Sequence, residues 1–506
     1  MKALRPGDVV DGYRILSEAH RGGMARLYTV CPEPGLCAEG RHNPQASDQS
    51  QVDRASALDP QAAPQPEAGL ASELLMKIPR MSVRDGSETI VSFEVESVIL
   101  PMLKGRHVPR LYACGSLQAI PYLLMEHLPG QTLVQWLLDI QRSARKAPIE
   151  EIVRIGIGIA VALFSLHRQR CCHHDLKPAN VFLHRDGHVV LLDFGLAWHA
   201  HFPDLHAEEM RQPVGSPPIL APEQIYGVRG DLRSDIYALG VLLYVMATNR
   251  FPFGMPTGNA ALKRRIWTRP APIRKLRPDL PAWFQEIVVR CLQPHAADRY
   301  QSAAQLVFDL RHPLQVKTGV HGEAVELPRL SVRMRTLYNF IRRGYTPSER
   351  PAKDPPVAPI VLLAINHADD SEPVRRQLGE AAKRAMGGLS GARLALVTVV
   401  RTEDISVSED HRSPTELQRR HLSMLRQLAG QLGVDSPLTS CHVLEGSGVA
   451  STLVRYAESN HVNTIVLGIG NPGNQVQRWA NSVAVRVAML APCSVMLVKL
   501  ELEPGA

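Results

Sequence analysis

The chain has 506 residues, too many for one hydrophobic core, so two or three domains are expected. With 45% apolar and 21% charged residues it is an ordinary globular composition, and a net charge of +8 spread over this length does not argue for nucleic acid or membrane as a partner. Eight irregularly spaced cysteines exclude a disulfide framework, and the start MKALRPGDVV has no apolar export segment, so a cytoplasmic protein is expected.

In chain order, Tyr13–Leu16 and Arg26–Val30 are expected strands around a tight turn, His20–Ala25. Residues 32–69 are rich in Pro, Gln, Ala and Ser and contain no aromatic residue. They bury too little apolar surface to offset the entropy of ordering, so a disordered insertion is expected, with Ser47, Ser50 and Ser56 as exposed hydroxyls. Cys31, Cys37 and His42 fit no zinc-site spacing. Leu74–Met76 is an apolar strand that ends in Lys77, Ser92–Glu96 begins a helix, and Ile120–Met125 is a further strand closed by Glu126–Gly130. The most apolar stretches, Ile149–Leu166 and Ile236–Ala247, are too short to span a membrane and are expected as buried helices.

Residues 314–356 form a linker. Within it Leu330–Arg343 places Leu330, Met334, Leu337 and Ile341 on one helical face, which is expected to pack on the preceding domain, with a membrane surface as the alternative. The Pro-rich run Glu349–Pro359 follows. From Ile360 onward, apolar runs at 360–365, 394–400, 441–444, 465–467 and 495–498 alternate with helical stretches. That alternation implies an α/β doubly wound parallel sheet, with any ligand near the carboxyl ends of the strands.

Three motifs occur in order: Asp175-Leu176-Lys177-Pro178-Ala179-Asn180, Asp193-Phe194-Gly195 and Ala221-Pro222-Glu223. On these the chain resembles the eukaryotic-type Ser/Thr protein kinases from residue 4 to 313, and the turn RGGMARLY is similar to the bacterial branch. The resemblance implies an α+β bilobal fold, ATP and Mg2+ as cofactors and protein hydroxyls as substrates. It implies that Lys77, oriented by Glu96, holds the α and β phosphates, and that Asn180 and Asp193 hold the metal. Asp175 would accept the substrate proton and Lys177 would steady the transferred phosphoryl. Gly22, Gly23 and Ala25 would cover the phosphates. Glu126 to Leu128 would face adenine behind Met125. Asp235 and Arg299 match architectural positions of the family, and Lys177 with Ser216 matches Ser/Thr rather than Tyr kinases.

Two departures bear on activity and control. His20 and Ala25 stand where the family has the first and third loop glycines, so weaker ATP binding is expected. His174 replaces the arginine before the catalytic aspartate, and a neutral imidazole is a poor receptor for phosphate. The loop from Leu196 to Val214 contains no Ser, Thr or Tyr, so phosphate receptor and phosphoacceptor are missing together. His199, His201 and His206 in that loop are expected to be solvated, and Cys171 and Cys172 to be buried structural thiols.

The segment GVASTLVRYAESNHVNTIVLGIGN, with NSVAVRVAMLAPCSVMLVK, resembles the universal stress protein family over residues 357–500. ATP-binding members of that family carry G-x2-G-x9-G-[ST]; here Gly468, Asn471, Asn481 and Ser482 keep the spacing with two glycines changed to asparagine, and Asn366 stands for an aspartate. The expectation is a Ser/Thr kinase with a C-terminal nucleotide-sensing or homodimerisation domain. The alternative is a pseudokinase scaffold that binds nucleotide without transferring phosphate.

Overall fold

The computed structural model describes residues 4–33, 73–80, 86–115, 120–202, 204–206, 215–320, 322–326, 330–347, 359–366, 372–389, 392–401, 414–432, 439–469 and 483–500. The insertion expected over 32–69 lies almost wholly outside them, as do Asn471, Asn481 and Ser482. Strands β1 (Val9–Val10), β2 (Tyr13–Arg21), β3 (Ala25–Pro32), β4 (Leu74–Pro79), β5 (Leu111–Cys114) and β6 (Leu123–Glu126) make one antiparallel sheet in the order β1-β2-β3-β4-β6-β5. Side chains in a strand alternate between faces. Leu74, Met76 and Ile78 of β4 therefore share a core with Ile15, Tyr28, Val30 and Leu124, and Lys77 points to the other face.

Across this sheet runs helix α1 (Gly86–Ile99), which begins earlier than the Ser92–Glu96 start expected from sequence. Every residue from Thr89 to Glu96 is buried, so the helix offers no amphipathic stripe from which its start could be read. The expected turn His20–Ala25 is also tighter. β2 continues through Arg21, His20 pairs with Leu27, and the Gly22 N–H donates to the Ala25 carbonyl at 2.9 Å. The strand expected over Ile120–Met125 starts at Leu123, because Pro121 has no N–H for the ladder.

The second lobe contains β7 (Gly130–Thr132), α2 (Leu133–Arg142), α3 (Ile149–Arg168), β8 (Cys171–Cys172), β9 (Val181–His184), β10 (Val189–Leu191), β11 (Trp198–His199), α4 (Arg233–Thr248), α5 (Ala282–Cys291) and α6 (Ala303–Arg311). The run Thr132-Leu133-Val134-Gln135 starts α2 with a capping box: Thr132 Oγ1 accepts from the Gln135 N–H, and Gln135 Oε1 accepts from the Thr132 N–H at 2.8 Å. The two most apolar stretches are α3 and α4, both buried in one core with Phe194, Phe284 and Leu306. A buried ion pair ties this lobe together. Arg299 donates to both oxygens of Glu223 at 2.7 Å, with both side chains almost fully buried.

On the face expected of helix α7 (Leu330–Arg343) to pack, Leu337 is half-buried but the other described side chains are not covered. Met334 and Ile341 are exposed, and Phe340 is the side chain that packs, 4.4 Å from the Trp267 ring. Beyond the linker, β12 (Ile360–Ala364), α8 (Glu372–Gly387), β13 (Arg393–Arg401), α9 (Pro414–Leu432), β14 (Thr439–Gly446), α10 (Val449–Ser459), β15 (Thr464–Ile469), α11 (Val483–Leu490) and β16 (Ser494–Lys499) form the expected doubly wound domain. Its sheet is parallel throughout in the order β14-β13-β12-β15-β16. Helices α8 and α9 cover one face and α10 and α11 the other, so the central strands are apolar on both sides. The strand order reverses between β12 and β15, which puts Asn366 and Gly468 near the carboxyl ends at the switch point.

Candidate active site

Two distant chain segments converge on Lys77 of β4. Its ammonium lies 2.5 Å from Glu96 Oε2, on α1, and 2.9 Å from Asp193 Oδ1, in the turn after β10. Burial alone would lower the Lys77 ammonium, but Asp193 and Glu96 outweigh it and hold the group above the usual lysine range. Burial likewise opposes ionisation of Asp193, yet Lys77 brings that carboxyl down to about 2. Burial pushes Glu96 up against the pull of Lys77, and the Phe194 N–H supports its charged form from 3.3 Å. Phe194 is buried against the His173 ring, 5.1 Å away, so the Asp-Phe-Gly turn faces inward.

The loop after β8 builds a second cluster. Lys177 Nζ is 2.6 Å from Asp175 Oδ2, and Asn180 Nδ2 donates to the Asp175 carbonyl at 2.9 Å and to Oδ2 at 3.1 Å. Ser216 Oγ donates to the other carboxylate oxygen, Oδ1, at 2.8 Å. Asn180 spends its amide nitrogen on Asp175, which leaves its carbonyl oxygen. Together with the Asp193 carboxylate this is a hard oxygen donor pair, and it fits a magnesium ion. Gly22 and Gly23 lie in the β2–β3 turn. Ala25 begins β3, while Met125 and Glu126 end β6 with Leu128 just beyond.

Asp235 holds this loop in place. It accepts from the His173 N–H at 2.9 Å, the His174 N–H at 3.0 Å and His167 Nε2 at 2.9 Å. Burial works against its charge, but the hydrogen bond from His167 outweighs that and keeps the carboxyl below the usual range. Sequence reasoning passes over His173, whose Nε2 donates to the Leu192 carbonyl at 3.0 Å and so ties the Asp175 loop to the Asp193 turn. In sequence Ser216 is only a marker of substrate class, because its spacing from Asp175 carries no sign of contact.

His174 is sealed inside. The Gly230 N–H can only donate, so His174 Nε2 accepts at 2.9 Å and the ring is uncharged. Burial and the nearby Arg229 guanidinium lower its pKa to about 3. Gly230 has φ +78 and sits with Trp198 ring carbons 2.8 Å from where a Cβ would stand, so only glycine fits this contact. The expectation of solvated loop histidines is overturned for two of the three. His199 is buried as a strand residue of β11, and His206 is buried while its Nε2 donates to the Gly195 carbonyl at 2.7 Å. Both loop segments are covered by other parts of the chain, and burial lowers the two rings to about 3 and about 4. Cys171 and Cys172 are buried thiols, and burial raises both well above the usual range.

Among the described residues, His184, Asp186 and His188 also group closely enough to share a metal ion, but they lie in the β9–β10 turn. There both imidazoles already engage the Asp186 carboxylate.

Comparison with known proteins assigns the two halves. Residues 73–310 match the protein kinase domain and residues 360–499 the universal stress protein family. A probable serine/threonine-protein kinase of Clostridium perfringens is 28% identical over 236 residues, covering 46% of this chain and 33% of that protein. Serine/threonine-protein kinase Pkn1 of Myxococcus xanthus is 30% identical over 258 residues, covering 50% of this chain and 35% of that protein. The chain thus spans about a third of the length of these curated relatives. Among solved structures, the PknI kinase domain of Mycobacterium tuberculosis aligns at 21% identity with a TM-score of 0.43, over 62% of this chain and 100% of that one.

The buried neutral imidazoles set a pH dependence. His174, His199, His206 and His442, the last also buried, on β14 of the second domain, are all lowered below the ordinary 6.5, so below that value the unfolded chain binds protons that the folded chain refuses. Their stabilisation is complete above 6.5 and is lost progressively as pH falls from 6.5 to about 3. The denaturant midpoint should decline steadily across this window, and His174→Gln should make the decline shallower. A midpoint that stays flat from 6.5 to 4 would contradict the buried neutral rings.

Proposed function

On a chain that carries a protein kinase domain followed by a universal stress protein domain, we propose ATP- and Mg2+-dependent transfer of phosphate to serine and threonine hydroxyls of proteins. The observation that carries the reading is Lys77 held between Glu96 and Asp193. Phosphoryl transfer needs positioning and charge neutralisation more than covalent chemistry, and this triad supplies both. Lys77 binds the α and β phosphates, with Gly22, Gly23 and Ala25 over them and the Glu126–Leu128 backbone at adenine behind Met125. Asn180 and Asp193 hold the metal, which neutralises phosphate charge when bound. Asp175 orients the substrate hydroxyl and takes its proton, in the position from which it now accepts the Ser216 hydroxyl. Lys177, beside it, stabilises charge on the moving phosphoryl group.

Control is proposed to bypass phosphorylation of the loop. With no phosphoacceptor from Leu196 to Val214 and His174 neutral and buried, a loop phosphate has neither an origin nor a receptor at that position. The cytoplasm is the proposed compartment. No helix among the described residues is long and apolar enough to cross a membrane. For the C-terminal domain we propose weak adenine-nucleotide sensing through Gly468, Asn471, Asn481 and Ser482, or homodimerisation. Asparagine reaches left-handed backbone angles readily, so loop shape is compatible with the spacing, while its side chain takes room from a phosphate. Support for a dimer comes from β16, an edge strand with Met496 and Leu497 exposed beside exposed Met489 and Leu490 of α11.

Asp175→Asn should reduce transfer by roughly 10²- to 10⁴-fold while ATP binding persists, since it removes the base and no phosphate contact. Asp193→Ala should also lose Mg2+-dependent ATP binding in calorimetry, and any remaining adenine-nucleotide heat in that variant reports the C-terminal domain. Unchanged phosphate incorporation in either variant contradicts the catalytic assignment.

Phosphatase treatment should leave the rate on an exogenous substrate unchanged. A collapse traced by mass spectrometry to Ser216 or its neighbours would overturn loop-independent control.

Light scattering should show a dimer that Leu497→Lys converts to monomer. A wild-type monomer at micromolar concentration would remove dimerisation from the account.

A further inference from the structure

Helix α1 is gripped from two sides, and the second grip comes from the C-terminal domain. Glu96 faces Lys77. Two residues earlier, and so about 200° around the helix, Glu94 pairs with Arg426 of α9. Arg426 also reaches Ser97 Oγ at 3.5 Å, and Glu94 is buried. Ile90 and Phe93 of α1 and Leu123 of β6 belong to one apolar cluster with Leu422 and Leu425 of α9. Without that domain, Ile90 and Phe93 would lose these neighbours. The same domain touches the loop after the Asp-Phe-Gly turn. Asn460 Oδ1 accepts from the Asp204 N–H at 2.6 Å, and the Arg393 guanidinium lies 4.3 Å from the Phe202 ring centre.

We infer that Arg426 is a positioning residue for phosphoryl transfer: by neutralising Glu94 inside the interface it holds α1 where Glu96 can orient Lys77. The inference rests on the kinase reading above and adds a domain to the active site that lies outside the kinase fold. The physical reason is the cost of a buried unpaired carboxylate. Burial pushes Glu94 up and Arg426 opposes it. Remove the guanidinium and Glu94 must reach water or take a proton. Reaching water means moving α1, and Glu96 moves with it. Anything that shifts the C-terminal domain acts on Lys77 through the same helix, which gives a chain lacking a loop phosphoacceptor a route of control.

Full-length Arg426→Ala should lose roughly tenfold or more in kcat, the size of typical couplings between sites. Arg426→Lys should recover part of the rate, since it restores the charge. Adding Glu94→Gln to Arg426→Ala should also restore rate, because a neutral side chain no longer needs a counter-charge. A merely structural loss would not be rescued by deleting a second polar contact. Hydrogen exchange over residues 86–99 should rise in Arg426→Ala and fall back in the double variant. Wild-type kcat in Arg426→Ala, or a double variant no faster than the single one, would overturn the inference. If the wild type itself transfers no phosphate, the kinase reading fails first. The exchange measurement then decides alone whether Arg426 holds α1, and unchanged exchange over 86–99 refutes it.

Discussion

One ammonium between two carboxylates is the contact on which the rest of this molecule depends. Lys77, Glu96 and Asp193 come from a strand, a helix and a turn, and the charges of Lys77 and Glu96, which are largely buried, would be costly to leave unpaired. Each supporting layer keeps one of the three in place. The alternation of β4 aims Lys77 away from the Leu74, Met76 and Ile78 core, while His173 and Asp235 lock the Asp175 loop to the Asp193 turn. Helix α1 brings Glu96, and its outward side is covered by α9 of the second domain.

Much of this is legible in the sequence because the chemistry admits few residues at few spacings. The motifs around Asp175, Asn180 and Asp193 name their own partners, and the parallel sheet of the second domain follows from apolar runs separated by helical stretches. What sequence does not reveal depends on burial by distant chain. His174 is visible as a substitution, but its enclosure by Gly230 and Gln224 is not. His199 and His206 have the look of solvent-facing loop residues, yet β11 and the Gly195 carbonyl take them in. The apolar face of α7 misleads in the other direction: periodicity marks Met334 and Ile341, while Phe340 is the residue that packs on Trp267.

Arg426 and Glu94 illustrate a deeper limit. They are 332 residues apart, on domains that sequence patterns treat as separate units, and neither stands out locally. Glu94 reads as one more acidic residue on a helix, and Arg426 as one of many arginines in a basic chain. Only the packing of α9 onto α1 makes them a pair. The second domain is therefore part of the surroundings of Lys77. It covers the helix that carries Glu96 and contacts the loop that follows the Asp-Phe-Gly turn.

The central claim is that these residues perform phosphoryl transfer and do not merely hold nucleotide. The most direct measurement incubates purified full-length protein with γ-labelled ATP, with and without magnesium, and follows label on the protein itself and on a generic basic protein. The account predicts magnesium-dependent incorporation that is stable as phosphoserine or phosphothreonine. Saturable ATP binding with no label transferred to either protein would contradict it.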